Sequence, residues 1–402
     1  MIDFTNTQIA FEAKTNADLR RAKFLFNAIK YQWVVKLGKV FVYITRKLKL
    51  PVGWLLKPTI YKQFVGGETL NKCTPLAQQL MKYNILSIFD YSAEGGESAK
   101  DIQQTFDEFM RSIEYAKGND NVAYTVFKPT ALVTDKVLEK ASAKIQLSDE
   151  EQKQYDEYIQ KFETLCRRAY DNDVRILVDA EDYCFQDAID ELTEDMMRKF
   201  NKQRAIVFTT LQMYRHDRLS YLEKLYNDAI KNDYIIGMKF VRGAYMEKER
   251  ERAKQFGYPD PICATKEATD ENYNSGLHYV IEHIDKFEMF SGTHNEQSNI
   301  VLANLIDKYN IARNDKRIFF AQLYGMSDNL SYNLAHEGYN VTKYIPYAPV
   351  KTVLPYLIRR AEENTAIAGQ TARELELIKT EIKRRKTEKK QKNAPVFDNK
   401  IQ

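Results

Sequence analysis

Two adjacent arginines, Arg359 and Arg360, stand one helical turn before Glu363 in the run Tyr356-Leu357-Ile358-Arg359-Arg360-Ala361-Glu362-Glu363-Asn364. On a helix Arg359 and Glu363 share a face as an i,i+4 pair. Two guanidiniums held in that way make a fork for a carboxylate. A solvated surface helix carries charge clusters too, but here Tyr347-Ala348-Pro349-Val350 leads the helix straight off an apolar run. A second chemical signal is Arg242-Gly243-Ala244-Tyr245, where two small residues let backbone approach a flat or anionic ligand and Arg242 can pair with phosphate or hold a ring edge. Thr293-His294-Asn295 is a third, with three hydrogen-bonding side chains in succession. No HxH, HExxH or nearby carboxylate pair accompanies His294, so a hydrogen bond to a cofactor suits it better than metal ligation, and no metal is expected.

These residues share a position. From Asn84 onward the sequence repeats a short β-branched, apolar run that ends in a polar residue and is followed by a longer stretch of helical periodicity, the rhythm of βα units. Eight runs are present: 85–91, 122–128, 174–181, 205–214, 234–242, 289–295, 317–324 and 340–347. Eight parallel strands close a (β/α)8 barrel, and the rival open doubly wound sheet lacks its GxGxxG turn after the first strand. The carboxyl ends of barrel strands surround the site. Here they read Asp90 and Tyr91, Lys128, Asp179 and Glu181, Gln212 and Tyr214, Arg242, Thr293 to Asn295, Gln322 and Tyr324, and Tyr344 and Tyr347. The expected organisation is a helical arm over 1–83, a barrel over 84–370 with a helical insertion at about 131–172, and a charged tail over 371–402. Ser148 followed by acidic residues marks a helix start in the insertion. The last barrel helix runs from Val353 to about Ala368, and the tail beyond it reads as a frayed or solvated helix.

Composition narrows the function classes. With 44% hydrophobic and 29% charged residues among 402, the chain is an ordinary globular protein. Its four cysteines form no CxxC pair, which points to a reducing compartment and away from a zinc site. No secretory segment follows Met1, and no stretch approaches the ~18 apolar residues of a spanning helix. The net charge of +4 is local: residues 371–402 hold ten Lys/Arg against five Asp/Glu, which leaves residues 1–370 near neutral. A nucleic-acid enzyme would place that charge on its body, so nucleic acid is not an expected partner. Residues 19–67 hold eleven Lys/Arg and no Asp or Glu, interleaved with Trp33, Val34, Val35, the run Val40 to Ile44, and Trp54. Such a segment suits an anionic membrane face or an arm lying over the barrel with its lysines in water.

Lys239-Phe240-Val241-Arg242-Gly243-Ala244-Tyr245, Gly292-Thr293-His294-Asn295, Gln322-Leu323-Tyr324-Gly325-Met326 and the segment Tyr356 to Asn364 resemble, in order, the signature segments of the proline dehydrogenase family. Asp90-Tyr91, Asp179-Ala180-Glu181 and Gln212-Met213-Tyr214 match its earlier segments, so the resemblance covers about residues 70–368. It implies a distorted (β/α)8 barrel with the last helix over the mouth, and FAD at the strand ends. It also implies oxidation of L-proline to 1-pyrroline-5-carboxylate, with a membrane quinone taking the electrons. In this chain Lys128, Arg359 and Arg360 would hold the substrate carboxylate, with Asp179 supporting the lysine or the arginines and Glu363 fixing an arginine. Tyr347 and Leu323 would wall the proline ring and Tyr245 would close over it. Gln212, Arg242, Gly243, Ala244, Thr293, His294, Asn295 and Gln322 would hold the flavin. Pro129, directly after Lys128, departs from the family pattern. The near alternative is 4-hydroxyproline oxidation, against which the Tyr347 phenol argues by crowding a ring hydroxyl. The implied location is cytoplasmic, peripheral to the inner membrane, in a bacterium, and mitochondrial in a eukaryote.

Overall fold

The computed structural model describes residues 2–31, 33, 34, 37, 38, 40, 53–92, 98–366 and 370–392. Val35, the run 41–44, Arg46, Lys47 and Lys49 of the basic segment lie outside the described residues, as does the Glu363 side chain.

Eight parallel strands close on themselves in chain order: β1 Ile85–Tyr91, β2 Val122–Phe127, β3 Ile176–Val178, β4 Val207–Gln212, β5 Ile236–Val241, β6 Phe287–Gly292, β7 Ile318–Leu323 and β8 Val341–Tyr347. Closure is made by β1 against β8, paired in register from Ile85 with Val341 to Tyr91 with Tyr347. Crossover helices bury the outer face of every strand, so the runs do not alternate apolar with polar.

Side-chain parity along each strand decides what reaches the lumen. Ile88, Tyr124, Leu177, Phe208, Phe290 and Phe319 point inward and form their own apolar cluster, while Ile85, Phe127, Ile176, Met238, Met289 and Val341 pack against the helices. At the amino-terminal end Tyr124 is the plug, with the rings of Phe208, Phe290 and Phe319 edge-on at 5.2, 5.3 and 5.3 Å. Each such pair contributes about 0.5–1.5 kcal/mol beyond its buried area. Below it Arg175 pairs with Glu288 at 2.8 Å. The barrel is therefore open at its carboxyl end alone.

Between β2 and β3 the chain forms the helices Asp135–Ser142 and Asp149–Asp171, the latter started by a capping box in which Ser148 and Glu151 exchange hydrogen bonds. The helix Val350–Ala366 buries Val353, Leu354, Tyr356, Leu357 and Ala361 against the amino-terminal helix Asn16–Ile29 and the tail. We call it the lid helix.

The tail corrects its sequence reading. Residues Gln370–Lys392 form a helix with Thr371, Glu374, Leu375, Ile378 and Glu381 buried, and Arg385 donates to the carbonyls of Phe11 and Lys14. The stripe 371, 374, 375, 378, 381 has helical spacing, but its two glutamates hide it from an apolar count. Removing Thr387–Gln402 should leave thermal stability and turnover nearly unchanged. Removal from Gln370 onward deletes the buried Leu375, Leu377 and Ile378, each worth about 1.5–3 kcal/mol of burial, and uncovers the apolar cluster they pack against. A melt of the two truncations checks this: equal stability would show the docked helix to be dispensable.

Candidate active site

The inward residues at the strand ends form two ion pairs. From β2, Lys128 donates to Asp90 of β1 at 2.6 Å, and from β5, Lys239 donates to Asp179 after β3 at 2.5 Å. Tyr344 of β8 donates to the other Asp179 oxygen at 3.0 Å, and Ser92 donates to the other oxygen of Asp90. Burial pulls the Lys128 ammonium down, but the charges of Asp90 and Asp179 outweigh it and leave it above its ordinary value. The mouth thus carries two cations and two anions in a nearly dry ring, where each charge acts more strongly than it would in water.

Lys239 is a site residue the sequence reading missed. Its signal was present, since a lysine in the middle of the buried run Ile236–Val241, at the inward parity, has no reason to be there except to face a polar lumen. Asp179 was expected to support Lys128 or the helix arginines. Its direct partners are Lys239 and Tyr344, and it reaches Lys128 by charge alone.

Tyr347 is a second correction. It lies at the outward parity of β8, 1% exposed, with its hydroxyl donating to Glu108 at 2.9 Å and its ring against Phe89 and Tyr91. It walls no lumen and cannot crowd a substrate ring. Tyr344 is the tyrosine of β8 that points inward.

Gln322 is the third correction. At the outward parity of β7 it is 2% exposed, its amide nitrogen donates to the Thr293 carbonyl at 3.2 Å, and its oxygen accepts from Ser331 at 2.8 Å. Both ends are spent inside the protein, so it ties β7 to β6 and does not meet a cofactor.

The remaining cofactor candidates divide. Arg242 donates to Asp270 at 2.7 Å, Thr293 at 2.6 Å and Ser298 at 2.9 Å, with its guanidinium over the Tyr273 ring. It pins the end of β5 to its neighbours and keeps only its remaining N–H groups for a ligand. Gly243 is exposed at φ +128°, and a Cβ there would lie 2.5 Å from the Tyr214 ring, so this turn admits no side chain. Ala244 is exposed beside it. Asn295 caps the helix Glu296–Lys308 by accepting from the Ser298 amide at 3.0 Å. His294 Nε2 accepts the Leu323 amide at 3.4 Å, which puts its proton on Nδ1, 2.8 Å from the Ser327 hydroxyl. Burial, then Lys343, Arg360 and Arg242, hold this imidazole down at about 3, and it stays neutral. Gln212 Oε1 is buried with no hydrogen-bond partner among the described residues. Such an orphan acceptor fits a ligand N–H.

Arg359 and Arg360 arrive from above. Burial, then Glu181, hold the Tyr245 phenol far above its ordinary value while Arg359 pulls it down, and Arg360 is felt by His294. The charged face of the lid helix therefore lies over the ends of β5 and β6. Leu323 is partly buried at the inward parity of β7 and packs with the lid cluster.

Glu181 adds a proton-holding group. It is 7% exposed and accepts from the Thr130 hydroxyl at 2.8 Å. Burial pushes its carboxyl up to about 8, with the Asp179 charge adding to the rise and the Thr130 bond opposing it. Because the folded value exceeds the unfolded one near 4.5, the fold favours the proton. Stability from this group is complete below about 4.5 and is lost as pH rises through about 8. Glu181→Gln should melt with the parent at pH 5 and several degrees above it at pH 9. A constant offset across that range would contradict the buried acid.

A profile of the proline dehydrogenase family matches residues 73–373 of the chain. Among curated relatives, the carbapenem antibiotics biosynthesis protein CarD of Pectobacterium carotovorum subsp. carotovorum is 33% identical over 322 residues, 80% of this chain and 83% of that protein. The mitochondrial proline dehydrogenase 1 of Homo sapiens is 39% identical over 241 residues, 59% of this chain and 40% of that one. Proline utilization A (PutA) of Bdellovibrio bacteriovorus, solved after inactivation by N-propargylglycine, superposes with a TM-score of 0.69 at 19% identity, covering 90% of this chain and 38% of the other. That likeness speaks for the fold. The chain spans about four-tenths of the length of the human relative and of the PutA chain.

Proposed function

Because the chain belongs to the proline dehydrogenase family, whose members are oxidoreductases acting on proline, we propose that it oxidises L-proline to 1-pyrroline-5-carboxylate with FAD as cofactor. The observation that carries this reading is the ring Asp90, Lys128, Asp179, Lys239 and Tyr344 beneath the Arg359-Arg360 face of the lid helix. It is a small, nearly dry, one-ended cup with cations on two sides.

FAD, when bound, supplies the hydride acceptor. The orphan acceptor of Gln212 and the exposed backbone at Gly243 and Ala244 fit its ring and phosphates, with the remaining N–H groups of Arg242 as donors and the neutral His294 ring beside them. Arg359, Arg360 and Lys128 would hold the substrate carboxylate. Asp90 keeps Lys128 charged and aimed for that contact. Tyr344 and Leu323 would flank the ring, Tyr344 oriented by its bond to Asp179, and Tyr245 would exclude water from above.

The deciding experiment is anaerobic addition of L-proline to the purified protein while the flavin absorbance is followed. Bleaching supports the reading, and trans-4-hydroxy-L-proline added in parallel tests the near alternative. Flavin that stays oxidised with proline, or release of FMN or no flavin on denaturation, would sink it.

We further propose a quinone as electron acceptor and peripheral contact with an anionic membrane. The support is the acid-free segment 19–67, on which Phe24, Trp33 and Trp54 are 68%, 63% and 77% exposed. No helix among the described residues is long and apolar enough to cross a membrane. The protein should sediment with phosphatidylserine vesicles and not with neutral ones. Equal partition to both removes the electrostatic part of the proposal.

A further inference from the structure

The loop between β7 and the helix Asp328–His336 is gripped from three places distant in sequence, and all three lie outside the family-matched span of 73–373. Gln63 donates to the Gly325 carbonyl at 2.8 Å, and its own carbonyl stands 2.0 Å from where a Cβ on Gly325 would be. Gly325 has φ +83°, so no other residue fits that approach. Lys14 pairs with Asp328 at 3.1 Å and lies over the Tyr324 ring at 5.6 Å. Glu374 of the tail helix accepts the amide of Ser327, which is held at φ +49°. Beneath them Lys343, fully buried at the outward parity of β8, donates to the Met326 carbonyl at 2.6 Å and pairs with Asp328 at 2.9 Å.

Two features give this grip a purpose. First, Asp328 already stands between Lys14 and Lys343, and burial pushes the Glu374 carboxyl up to about 7, so what Glu374 brings to the loop is the oxygen that accepts the Ser327 amide more than a charge. Second, Ser327 is the residue whose hydroxyl meets His294 Nδ1, while Leu323, at the start of the same loop, donates to His294 Nε2. Both nitrogens of the imidazole are thus set by one loop. A cavity of about 30 Å³, room for about two waters, adjoins Lys14, Gln63, Asp328 and Glu374.

We propose that Glu374 is a positioning residue for the cofactor site: by holding the Ser327 amide it fixes the Ser327 hydroxyl and hence the orientation of His294. The tail helix is then a part of the cofactor site although Glu374 and all that follows it lie beyond the family-matched span. The proposal rests on the reading that His294 faces the flavin.

The test uses the full chain stripped of FAD, with FAD affinity measured by quenching of flavin fluorescence. Glu374→Ala should bind FAD about five- to tenfold more weakly, and Glu374→Gln, whose amide oxygen still accepts the Ser327 N–H, should stay within about twofold of the parent. Ser327→Ala, which keeps the backbone amide and loses the hydroxyl, should match Glu374→Ala, and the double variant should lose little more than either single one. Amide exchange in residues 323–328, followed without FAD, should speed up in Glu374→Ala and not in Glu374→Gln. Affinity within twofold in Glu374→Ala, or a weakened Glu374→Ala beside an unaffected Ser327→Ala, overturns the proposal. Should Glu374→Ala fail to fold, Ser327→Ala decides alone. If the parent itself binds no FAD, the cofactor reading falls, and the exchange measurement together with the His294 ring nitrogen shifts still judges the loop.

Discussion

Replacing Arg359 or Arg360 by Met is expected to weaken L-proline binding by about ten- to 150-fold while FAD stays bound. The estimate is the ~1.5–3 kcal/mol of a charge-assisted hydrogen bond in a site screened from water. Because the same contact orients the reacting C–H, kcat should fall with the rise in KM, with KM changing more. Glu363→Gln, which removes the charge four residues beyond Arg359, should show a milder form of the defect. On a solvated helix these changes would stay within about 0.5 kcal/mol. Titration of proline against flavin reduction gives the affinity directly, and near-normal turnover in both arginine variants would remove the carboxylate clamp from the lid.

The second large effect is expected at Lys239. Its side chain is 7% exposed and that of Asp179 15%, so Lys239→Met strands a nearly buried carboxylate with Tyr344 as its remaining hydrogen-bond donor. Breaking one side of such a pair typically costs about 3–5 kcal/mol. The variant should unfold at a clearly lower urea concentration and lose proline-dependent flavin reduction. Lys239→Met combined with Asp179→Asn removes both charges and should recover most of the stability without the activity. Recovery of both in the double variant would mean that the pair serves folding alone, and an unchanged midpoint in the single variant would mean that water reaches Asp179.

Much of this could be read before any coordinates. The eight strands were legible because parallel strands are buried on both faces and write themselves as β-branched runs, such as Ile176–Val178 and Val207–Gln212, ended by polar residues. Which end residues reach the lumen was harder. A strand turns over every residue, so Tyr344 and Tyr347 are alike in composition and opposite in direction, and an uncertainty of one in the strand end swaps them. The same parity sends Lys239 inward and Gln322 outward. The docking of the tail was hidden for another reason: Glu374 and Glu381 are buried, and a count of charges treats them as solvated. Arg384 and Arg385 follow Glu381 at i,i+3 and i,i+4 and can be read from the spacing, whereas the Ser327 amide that Glu374 meets lies 47 residues away and cannot.

The Tyr124 plug gives the molecule a direction along the barrel axis. Strands β2, β4, β6 and β7 stand at one end in a close-packed aromatic floor, while the strand tips carry ion pairs. Local opening follows the weaker end. Rearrangement on ligand entry is therefore expected at the strand tips, away from the packed floor. Substitutions at the floor then form a reserve for this protein: packing gained around Phe208, Phe290 or Phe319 can offset destabilising changes at the mouth without touching the chemistry there.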